Sequence, residues 1–521
     1  MKSVSLEKIL LAVLSGLMLT AGFPPAKIPW IHWISLIPLL KALKDEEPSG
    51  AFRLGFIAGM SHYLTLLYWV TLVLGHYGGL PFPVSVSILI LFCLYLSLYP
   101  ALFSLLFSRG KGTFGAIFLT SGLWVALEFV RTKILTGFPW CLMGYGQFRN
   151  LLLIQSADLF GVYGLSFLLC LVNVTIYVLL FERGFSRKTL VLETALTAFF
   201  LSLAVIYGYD RLAETLEKEK TARALRVLIV QGNVDQSVKW NPAYQKKTVT
   251  LYETLTHRGL ASKPALVVWP ETAMPFFFQE NTPLSERVRE TARRTGADLI
   301  FGSPAYERRK GKPAYFNRAF GISPSGTLVG TYDKVHLVPF GEYVPLKRFL
   351  FFVNRLVQAA GDFTSGTRIA PIRLTSAPAG ILICFEIIFP EIAREQVRTG
   401  AEILINLTND AWFGKTSAPY QHLAMAVFRA VETRRPLIRA ANTGFSAFIA
   451  PSGKILKKSG LFKTETLAAE IPLPANRTVT PYERFGDLLP WFFFLIWLIK
   501  ILLILCYNKK FKNSCGALFN R

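Results

Sequence analysis

The chain has little of the charge that a soluble globule carries on its surface. Only 17% of its 521 residues are charged, against about a quarter in ordinary soluble domains, and 52% are hydrophobic. Among the charged residues the acidic ones are fewer, with 33 Asp and Glu against 57 Lys and Arg. This composition excludes a simple soluble globule, and we expect much of the chain to face lipid.

The net charge of +24 does not indicate a nucleic-acid-binding protein. Many Lys and Arg residues lie at the ends of apolar runs, where positive charge anchors membrane segments to the cytoplasmic surface. We therefore expect a membrane to be the partner of this charge, and no nucleic acid.

Sequence motifs for cofactors and metals are also lacking. The chain has no G-x-S-x-G, Walker or dinucleotide motif, and its six histidines show neither H-E-x-x-H nor paired-cysteine spacing. His336 and His422 are the two histidines that we expect near a site. We predict no cofactor and no metal.

Long apolar runs are abundant. Windows of about 20 residues, the length that crosses a hydrocarbon core, predict about eight transmembrane helices, near 9–23, 28–43, 54–74, 83–107, 114–130, 161–181, 190–208 and 488–507. The first two runs are short, so a re-entrant hairpin is the alternative there. A cleaved signal peptide is an alternative for the first run, but so many further spans favour a retained helix. Lys500, inside the last run, either snorkels or makes a polar contact.

The distribution of Lys and Arg orients these spans. If the N-terminus is cytoplasmic, most Lys and Arg residues between the spans fall on the cytoplasmic side. The connections on the opposite side carry few Lys and Arg residues. No window between the seventh and eighth spans is apolar enough to cross, so we predict a soluble domain outside the cytoplasm. The predicted parts are the N-terminal helices at 1–210, the exported domain at 222–475, the last helix at 486–508 and a cytoplasmic tail at 509–521.

Cysteine is scarce, and only one cysteine falls in the exported domain. Cys384 is that residue, because the other five lie in or beside apolar spans or in the tail: Cys93, Cys141, Cys170, Cys506 and Cys515. An oxidising compartment usually pairs or removes thiols. Cys384 is therefore either buried and inert or chemically used.

Segments of the exported domain share a pattern of aliphatic residues that end abruptly in polar ones. Such runs are typical of buried strands, and we predict strands within 224–234, 264–272, 296–304, 379–386 and 401–410. Charged, helix-like stretches lie between them, at 283–295 and 421–435. The alternation predicts an α/β layered domain.

The predicted strand ends carry residues suited to thiol chemistry. A cysteine becomes a nucleophile only as a thiolate, which needs a base or a cation beside it. Glu271 is suited to accept the proton, and Lys334 to stabilise both the thiolate and an oxyanion. The backbone N–H of Phe385 is a second oxyanion donor. Other polar residues at these ends and in the following loop are Asn409, Asp410 and Glu342.

Four motifs together resemble the nitrilase superfamily, which has a Glu, Lys, Cys triad. They are "WPE" at 269–271, "YDKVHLVPFGEYVP" at 332–345, "CFE" at 384–386 and "NDAWFG" at 409–414. With the membrane spans, "QGNVDQSVKW" at 231–240 and "LTGFPW" at 135–140, the chain resembles the bacterial apolipoprotein N-acyltransferases over essentially its whole length.

This resemblance implies a fold, a location and a reaction. The fold is a four-layer αββα domain on the periplasmic face of the inner membrane, inserted before the last of about eight transmembrane helices. In the reaction, Cys384 takes an acyl chain from a phospholipid, usually phosphatidylethanolamine, as a thioester. The acyl group then passes to the α-amino group of the diacylglyceryl-cysteine of an apolipoprotein. We expect the protein to be a monomer.

The resemblance also implies roles for single residues. Glu271 maps to the general base and Lys334 to the oxyanion stabiliser, while Glu342 and Glu386 map to supporting carboxylates. One departure is Phe385, where relatives often have Tyr, so a hydroxyl there is not indispensable. Further supporting residues are Asn409 and Trp412, and the predicted substrate and lipid contacts are Trp240, Trp269, Tyr343, Phe351 and Phe352.

Two aromatic stretches, 274–280 and 345–357, have the composition of interfacial segments. The alternative is that they pack inside the domain. Two other functions also stay open. One is a membrane-tethered amidase with the same triad, and the other is a transporter or scaffold whose exported domain only binds a partner.

Overall fold

The computed structural model describes residues 4–107, 115–239, 241–309, 311–343, 363–473 and 479–519. Trp240, Phe351 and Phe352, and with the last two the whole 345–357 segment, lie outside the described residues. The predicted contacts of these three side chains therefore remain predictions.

The N-terminal part is helical. Its helices are α1 (Leu6–Ala21), α2 (Ile37–Ala42), α3 (Pro48–Leu66), α4 (Val70–Leu72), α5 (Phe82–Phe107), α6 (Ala116–Arg131), α7 (Ala157–Phe160), α8 (Val162–Phe181) and α9 (Arg187–Thr221). Among the described residues, two helices follow the α/β domain, α15 (Pro481–Phe485) and α16 (Leu488–Phe519).

Three of these helices, α5, α8 and α9, are long and apolar enough to cross a membrane among the residues that the structure describes. A fourth span results if α3 and Val70–Tyr77, which are bent by 55° at their junction, count as one. The predicted span at 28–43 is not one helix. It contains a 3₁₀ helix at Pro29–Trp33 and then α2, because Pro38 has no N–H to donate and its ring disfavours a continuous helix.

In the described part of the chain, twelve strands form two six-stranded sheets. The first has the order β12-β1-β2-β3-β4-β5 and the second β11-β10-β9-β8-β7-β6. The strands are β1 (Arg223–Gln231), β2 (Leu266–Val268), β3 (Asp298–Arg309), β4 (Lys312–Ile322), β5 (Leu328–Asp333), β6 (Ile372–Arg373), β7 (Pro378–Ile383), β8 (Ile403–Thr408), β9 (Leu437–Ala441), β10 (Ala447–Ile449), β11 (Ile455–Lys458) and β12 (Glu465–Leu473). Pairing is parallel within β1–β2–β3 and within β7–β8–β9, and antiparallel elsewhere.

Five helices accompany these sheets. They are α10 (Gln236–Lys239), α11 (Pro242–Gly259), α12 (Pro283–Thr295), α13 (Pro390–Arg398) and α14 (Ala418–Thr433). The predicted helix at 283–295 coincides with α12, and the one at 421–435 overlaps α14. The five predicted stretches overlap β1, β2, β7, β8 and the first part of β3, so these predictions are confirmed.

The sheets pack face to face and helices cover both outer faces. Ile229 and Ile381 belong to the apolar core between the sheets. Leu228, the neighbour of Ile229, points to the opposite face and packs with residues of α11 and α12, as the alternation of side chains along a strand requires. On the second sheet Leu382 joins α13, α14 and the N-terminal helices in one core. The predicted αββα layering is therefore confirmed.

The second helix layer lies directly on the N-terminal helices. Every residue of α14 except Tyr420 is buried. Polar contacts join this layer to the N-terminal part at several points: Ser417 N to Tyr68 Oη (3.1 Å), Trp140 Nε1 to Gln421 (2.8 Å), Lys133 to Glu391 (2.9 Å) and Arg434 to Asp158 (2.8 Å). Arg394 joins it to Asp487, just before α16 (3.3 Å).

Candidate active site

Glu271, Lys334 and Cys384 each follow the end of a strand. Cys384 comes directly after β7 with φ 52°, Lys334 directly after β5, and Glu271 three residues after β2. Their exposed fractions are only 7%, 1% and 9% for Glu271, Lys334 and Cys384. The structure brings the three together, since the charges of Glu271 and Lys334 both act on the Cys384 thiol.

Lys334 lies between two carboxylates. Its Nζ is 2.9 Å from Glu342 and 3.9 Å from Glu271 Oε1. Burial lowers the pKa of Lys334, but Glu342 and Glu271 raise it more, so the amine is charged at neutral pH. Glu342 is held in turn by the N–H of Val338, which donates to Oε2 at 2.8 Å.

Glu271 has one anchored oxygen and one free oxygen. Asn317 Nδ2 donates to Oε1 at 2.8 Å, and also to Glu342 at 3.1 Å. The buried Oε2 has no hydrogen-bond partner among the described residues, so it is the oxygen suited to take up a proton. Gly302 allows β3 to approach this turn, because a Cβ there would lie 2.8 Å from Glu271 Cα.

Glu386 ties the segment after Lys334 to the turn at Cys384. Its Oε1 accepts hydrogen bonds from the Tyr332 hydroxyl (3.0 Å) and from the N–H groups of Val335 (2.7 Å) and His336 (3.1 Å). Its Oε2 accepts from the N–H of Ile383 at 2.7 Å. Burial raises the pKa of Glu386 to about 7, although these backbone donors and Lys334 lower it.

The Cys384 thiol is neutral in this environment. Burial and then the charge of Glu271 raise its pKa, Lys334 lowers it, and the net value is about 12. A thiolate therefore forms only when the proton is transferred to a base at the moment of reaction. The arrangement of one thiol, one carboxylate and one ammonium group suits acyl transfer through a covalent intermediate.

Lys239 is a further residue of the site, and the sequence interpretation missed it. It lies at the end of α10, is 2% exposed, and its Nζ donates to the Glu271 carbonyl at 3.2 Å. Burial lowers its pKa to about 8, while Glu271 and Cys384 raise it. The only signal in the sequence was its position inside the "QGNVDQSVKW" motif, next to Trp240. Asn317 was also missed, because nothing in the pattern of β4 distinguishes it.

The other predicted residues surround the site to different degrees. Asn409 Nδ2 donates to Gln236 Oε1 at 2.7 Å, which links the loop after β8 to α10. The ring of Trp412 contacts Tyr77 in the N-terminal part, with centroids 5.2 Å apart. Phe385 packs edge-on against Phe389. Tyr343 is half-buried, and its carbonyl accepts the N–H of Phe340 at 2.7 Å.

Trp269 requires a correction. We predicted a substrate or lipid contact, but its side chain is fully buried between the first sheet and its helices. Its Nε1 donates to Thr256 Oγ1 at 3.0 Å, and its ring packs against Tyr252. The residue follows β2 and points to the outer face of the sheet, so it belongs to the core.

The stretch 274–280 mostly packs inside the domain. Met274 and Phe278 are fully buried in the core beside α11 and α12. Phe277 is half-buried and contacts the rings of Tyr306 and Tyr315. For Met274 and Phe278, the packing alternative is the correct one. No group of three or more His, Cys, Asp or Glu suited to a metal occurs in the part of the chain that the structure describes.

Comparison with known proteins gives the same two parts. Residues 15–175 match the family "Apolipoprotein N-acyltransferase N-terminal domain" and residues 226–480 match "Carbon-nitrogen hydrolase". A carbon-nitrogen hydrolase structure from Helicobacter pylori is similar with a TM-score of 0.38 and 21% identity, covering 48% of this chain and 90% of that one.

Whole-length relatives are more similar. The apolipoprotein N-acyltransferase of Geobacter metallireducens is 44% identical over 488 residues, which is 92% of each chain. That of Haemophilus influenzae is 33% identical over 488 residues, 92% of this chain and 91% of the relative. With this identity over nearly its whole length, the chain belongs to the apolipoprotein N-acyltransferase family.

Proposed function

We propose that this protein transfers a fatty acyl chain from a phospholipid to the α-amino group of the N-terminal diacylglyceryl-cysteine of apolipoproteins. Phosphatidylethanolamine is the proposed donor. The observation that carries the proposal is the burial of Glu271, Lys334 and Cys384 in one site, in a chain whose relatives over its full length are named for this activity.

The first half-reaction forms the acyl-enzyme. Glu271 Oε2 accepts the thiol proton as Cys384 attacks the ester carbonyl of the phospholipid. Negative charge develops on the carbonyl oxygen, where the Lys334 ammonium and the N–H of Phe385 stabilise it. The intermediate then expels the lysophospholipid oxygen, which takes the proton from Glu271. A thioester on Cys384 remains.

The second half-reaction consumes the thioester. The neutral α-amine of the apolipoprotein attacks the thioester carbonyl, and Glu271 accepts a proton from the amine. The second tetrahedral intermediate expels the Cys384 thiolate, which takes that proton and returns to the neutral thiol. The amide product then leaves. Because the lysophospholipid is released before the apolipoprotein reacts, the kinetic scheme is ping-pong.

The carboxylates around the triad act on its geometry. Glu342 holds the Lys334 ammonium at 2.9 Å, and Glu386 joins the segments that carry Lys334 and Cys384 through its four hydrogen bonds. Such support matters because a displacement of about 1 Å in a reacting group costs a large factor in rate.

The proposed setting is the periplasmic face of a bacterial inner membrane. Lys44 donates to the Phe181 carbonyl at 2.7 Å, and Lys8 donates to the Lys44 carbonyl at 2.8 Å. These contacts bring together three helix ends that we predict to be cytoplasmic. The 35-residue α9 is about 50 Å long, enough to lead from that side to β1. We retain several transmembrane helices on both sides of the α/β domain, the domain limits 1–210, 222–475, 486–508 and 509–521, and a monomer as parts of this proposal.

An acyl-adduct measurement tests the proposal. Purified protein is incubated with phosphatidylethanolamine in detergent and its intact mass is measured. We expect a mass increase of one acyl chain in the wild type and in Cys506→Ala, which removes an exposed cysteine, and none in Cys384→Ala. Addition of a synthetic diacylglyceryl-cysteine peptide should then remove the acyl adduct from the protein. The mass of the peptide should increase by one acyl chain.

The other two functions predict different results. An amidase would release free fatty acid or ammonia to water and give no transfer to the peptide. A scaffold or transporter would keep its function in Cys384→Ala. Either result overturns the acyltransferase proposal.

A further inference from the structure

The backbone carbonyl of Cys384 faces buried polar side chains that the proposed chemistry does not use. Cys384 has φ 52°, a left-handed conformation that L-residues disfavour, so its surroundings must hold it. Asn406 Nδ2 donates to the Leu382 carbonyl at 2.9 Å and lies 3.5 Å from the Cys384 carbonyl. The His422 ring lies beside the Cys384 backbone, and its Nε2 makes no hydrogen bond to a described residue.

Arg439 connects the two side chains that approach this carbonyl. Its Nη1 donates to Asn406 Oδ1, and its Nη2 donates to Asp410 Oδ2 at 2.7 Å and lies 3.0 Å from His422 Nδ1. Asp410 Oδ1 is 3.1 Å from the same His422 nitrogen. All four side chains are fully buried. We call Asn406, Asp410, His422 and Arg439 the Arg439 cluster.

The Arg439 cluster is compact and has no net charge. Asp410 and Arg439 neutralise each other, and burial and the charge of Arg439 lower the pKa of His422, so the ring is neutral at pH 7. Gly444 lets the chain close over the cluster, because a Cβ there would lie 2.1 Å from Asp410 Oδ2. A neutral, fully enclosed group is suited to holding a backbone and not to exchanging protons with the thiol.

The N-terminal helices contact the cluster from the other side. Trp140, in the segment between α6 and α8, stacks on His422 with ring centroids 5.5 Å apart and planes inclined by 29°. Its Nε1 donates to Gln421 Oε1 at 2.8 Å. Phe413 packs edge-on against both His422 and Trp69. His422 therefore lies between the Cys384 backbone and an aromatic group of the membrane part.

We propose that the Arg439 cluster positions the backbone of Cys384, and that the stacking of Trp140 on His422 couples this position to the membrane helices. His422 and Asn406 are positioning residues, because they act on the nucleophile through its main chain. The nucleophile is then held in its reactive geometry only while the Trp140 segment is docked. The inference rests on the proposed role of Cys384 as nucleophile.

The first test compares two amides at position 422 in the full-length protein in detergent. His422→Gln extends its amide to the region of Nε2 and keeps a polar group facing the Cys384 backbone. His422→Asn places its amide near Nδ1 and removes the polar group that faces the Cys384 backbone, where Asn406 Nδ2 remains 3.5 Å from the carbonyl. We measure alkylation of Cys384 by iodoacetamide, located by peptide mapping, together with acyl-adduct formation from phosphatidylethanolamine and the melting temperature.

We expect His422→Asn to slow alkylation and acylation at least tenfold, whereas His422→Gln retains most of both rates at a similar melting temperature. Equal rates in the two variants overturn the proposal. Equal losses with a parallel fall in melting temperature also overturn it, because His422 would then only fill space.

A second pair tests the coupling and decides the matter if His422→Asn does not fold. Trp140→Phe keeps a ring over His422 and loses the indole hydrogen bond, whereas Trp140→Leu loses the stacking. We expect a loss of at least tenfold in acylation for Trp140→Leu and less than threefold for Trp140→Phe. Equal rates in this pair contradict the coupling. If the alkylation pattern is as expected but the wild type forms no acyl adduct, the positioning stands and the transfer reaction is wrong.

Discussion

Lys334 lies nearer to Glu342 than to Glu271. Its Nζ is 2.9 Å from the Glu342 carboxylate and 3.9 Å from Glu271 Oε1. The closer carboxylate fixes the ammonium group, and the more distant one keeps Oε2 free of hydrogen bonds to any described residue. Two carboxylates beside one lysine thus have different surroundings, which is how a site assigns different roles to groups of the same chemistry.

Replacing Glu342 by Gln should therefore slow acylation although the residue does not touch the thiol. The amide cannot form the ion pair, so Lys334 loses its closest partner and its position. We expect at least a tenfold loss in the rate of acyl-adduct formation. The control is Glu253→Gln, which breaks an ion pair with Arg287 between α11 and α12. Unchanged acylation in Glu342→Gln would show that Glu342 has no part in holding Lys334.

Glu271→Gln should retain the fold and phospholipid binding but lose several orders of magnitude in acylation rate. The amide keeps the shape of the side chain and cannot accept the thiol proton. Single-turnover acylation and a lipid-binding assay measure the two properties. If the variant keeps more than about a tenth of the rate, a loss below roughly 1.4 kcal/mol in barrier, Glu271 is not the base.

Alkylation of Cys384 should report its high pKa. Because burial raises the thiol pKa to about 12, the rate with iodoacetamide should rise about tenfold per pH unit up to pH 10 without a plateau. Glu271→Gln should lower this pKa and Lys334→Met should raise it, since the two charges act in opposite directions. A plateau below pH 9 in the wild type would contradict the environment described for Cys384.

Lys239→Met should slow acylation because the Glu271 carbonyl loses its hydrogen bond to Nζ. A hydrogen bond that involves a charged group is worth about 1.5–3 kcal/mol. Because its loss displaces the Glu271 carboxylate, we expect the acylation rate to fall about tenfold to hundredfold. Lys246→Met, at an exposed position on α11, is the matched control. Equal rates in the two variants would mean that Lys239 does not position Glu271.

Glu386 should make the folded protein less stable as the pH rises from about 4.5 to 7. The pKa of Glu386 in the folded state, about 7, lies above the usual 4.5, so the folded state binds the proton more tightly than the unfolded state. The stabilisation that this proton gives is complete only below pH 4.5. The loss is about 3 kcal/mol in unfolding free energy. The melting temperature of the wild type should therefore fall with increasing pH relative to that of Glu386→Gln, which has no titrating group at this position. Parallel pH dependences in the two proteins would refute the raised pKa.

Much of the fold was predictable because local pattern determines it. The runs that became β1, β7 and β8 are dense in aliphatic residues and end in polar ones, and α12 has Thr282 as a capping residue and Gly296 after its last turn. Such signals act between neighbours along the chain. The span at 28–43 failed because apolar composition outweighed the effect of Pro38 in our interpretation, whereas the backbone obeyed the proline.

The sequence by itself determined the apolar spans, the layered α/β domain and the motif order that pointed to Glu271, Lys334 and Cys384. Only the tertiary structure decided that Glu342 is the nearer partner of Lys334, that Trp269 belongs to the core, and that Lys239 reaches the Glu271 carbonyl. Composition and periodicity are properties of short stretches of chain. Contacts between residues tens to hundreds of positions apart depend on sheet register and on which face of a strand each side chain takes, and these are settled only when the layers pack.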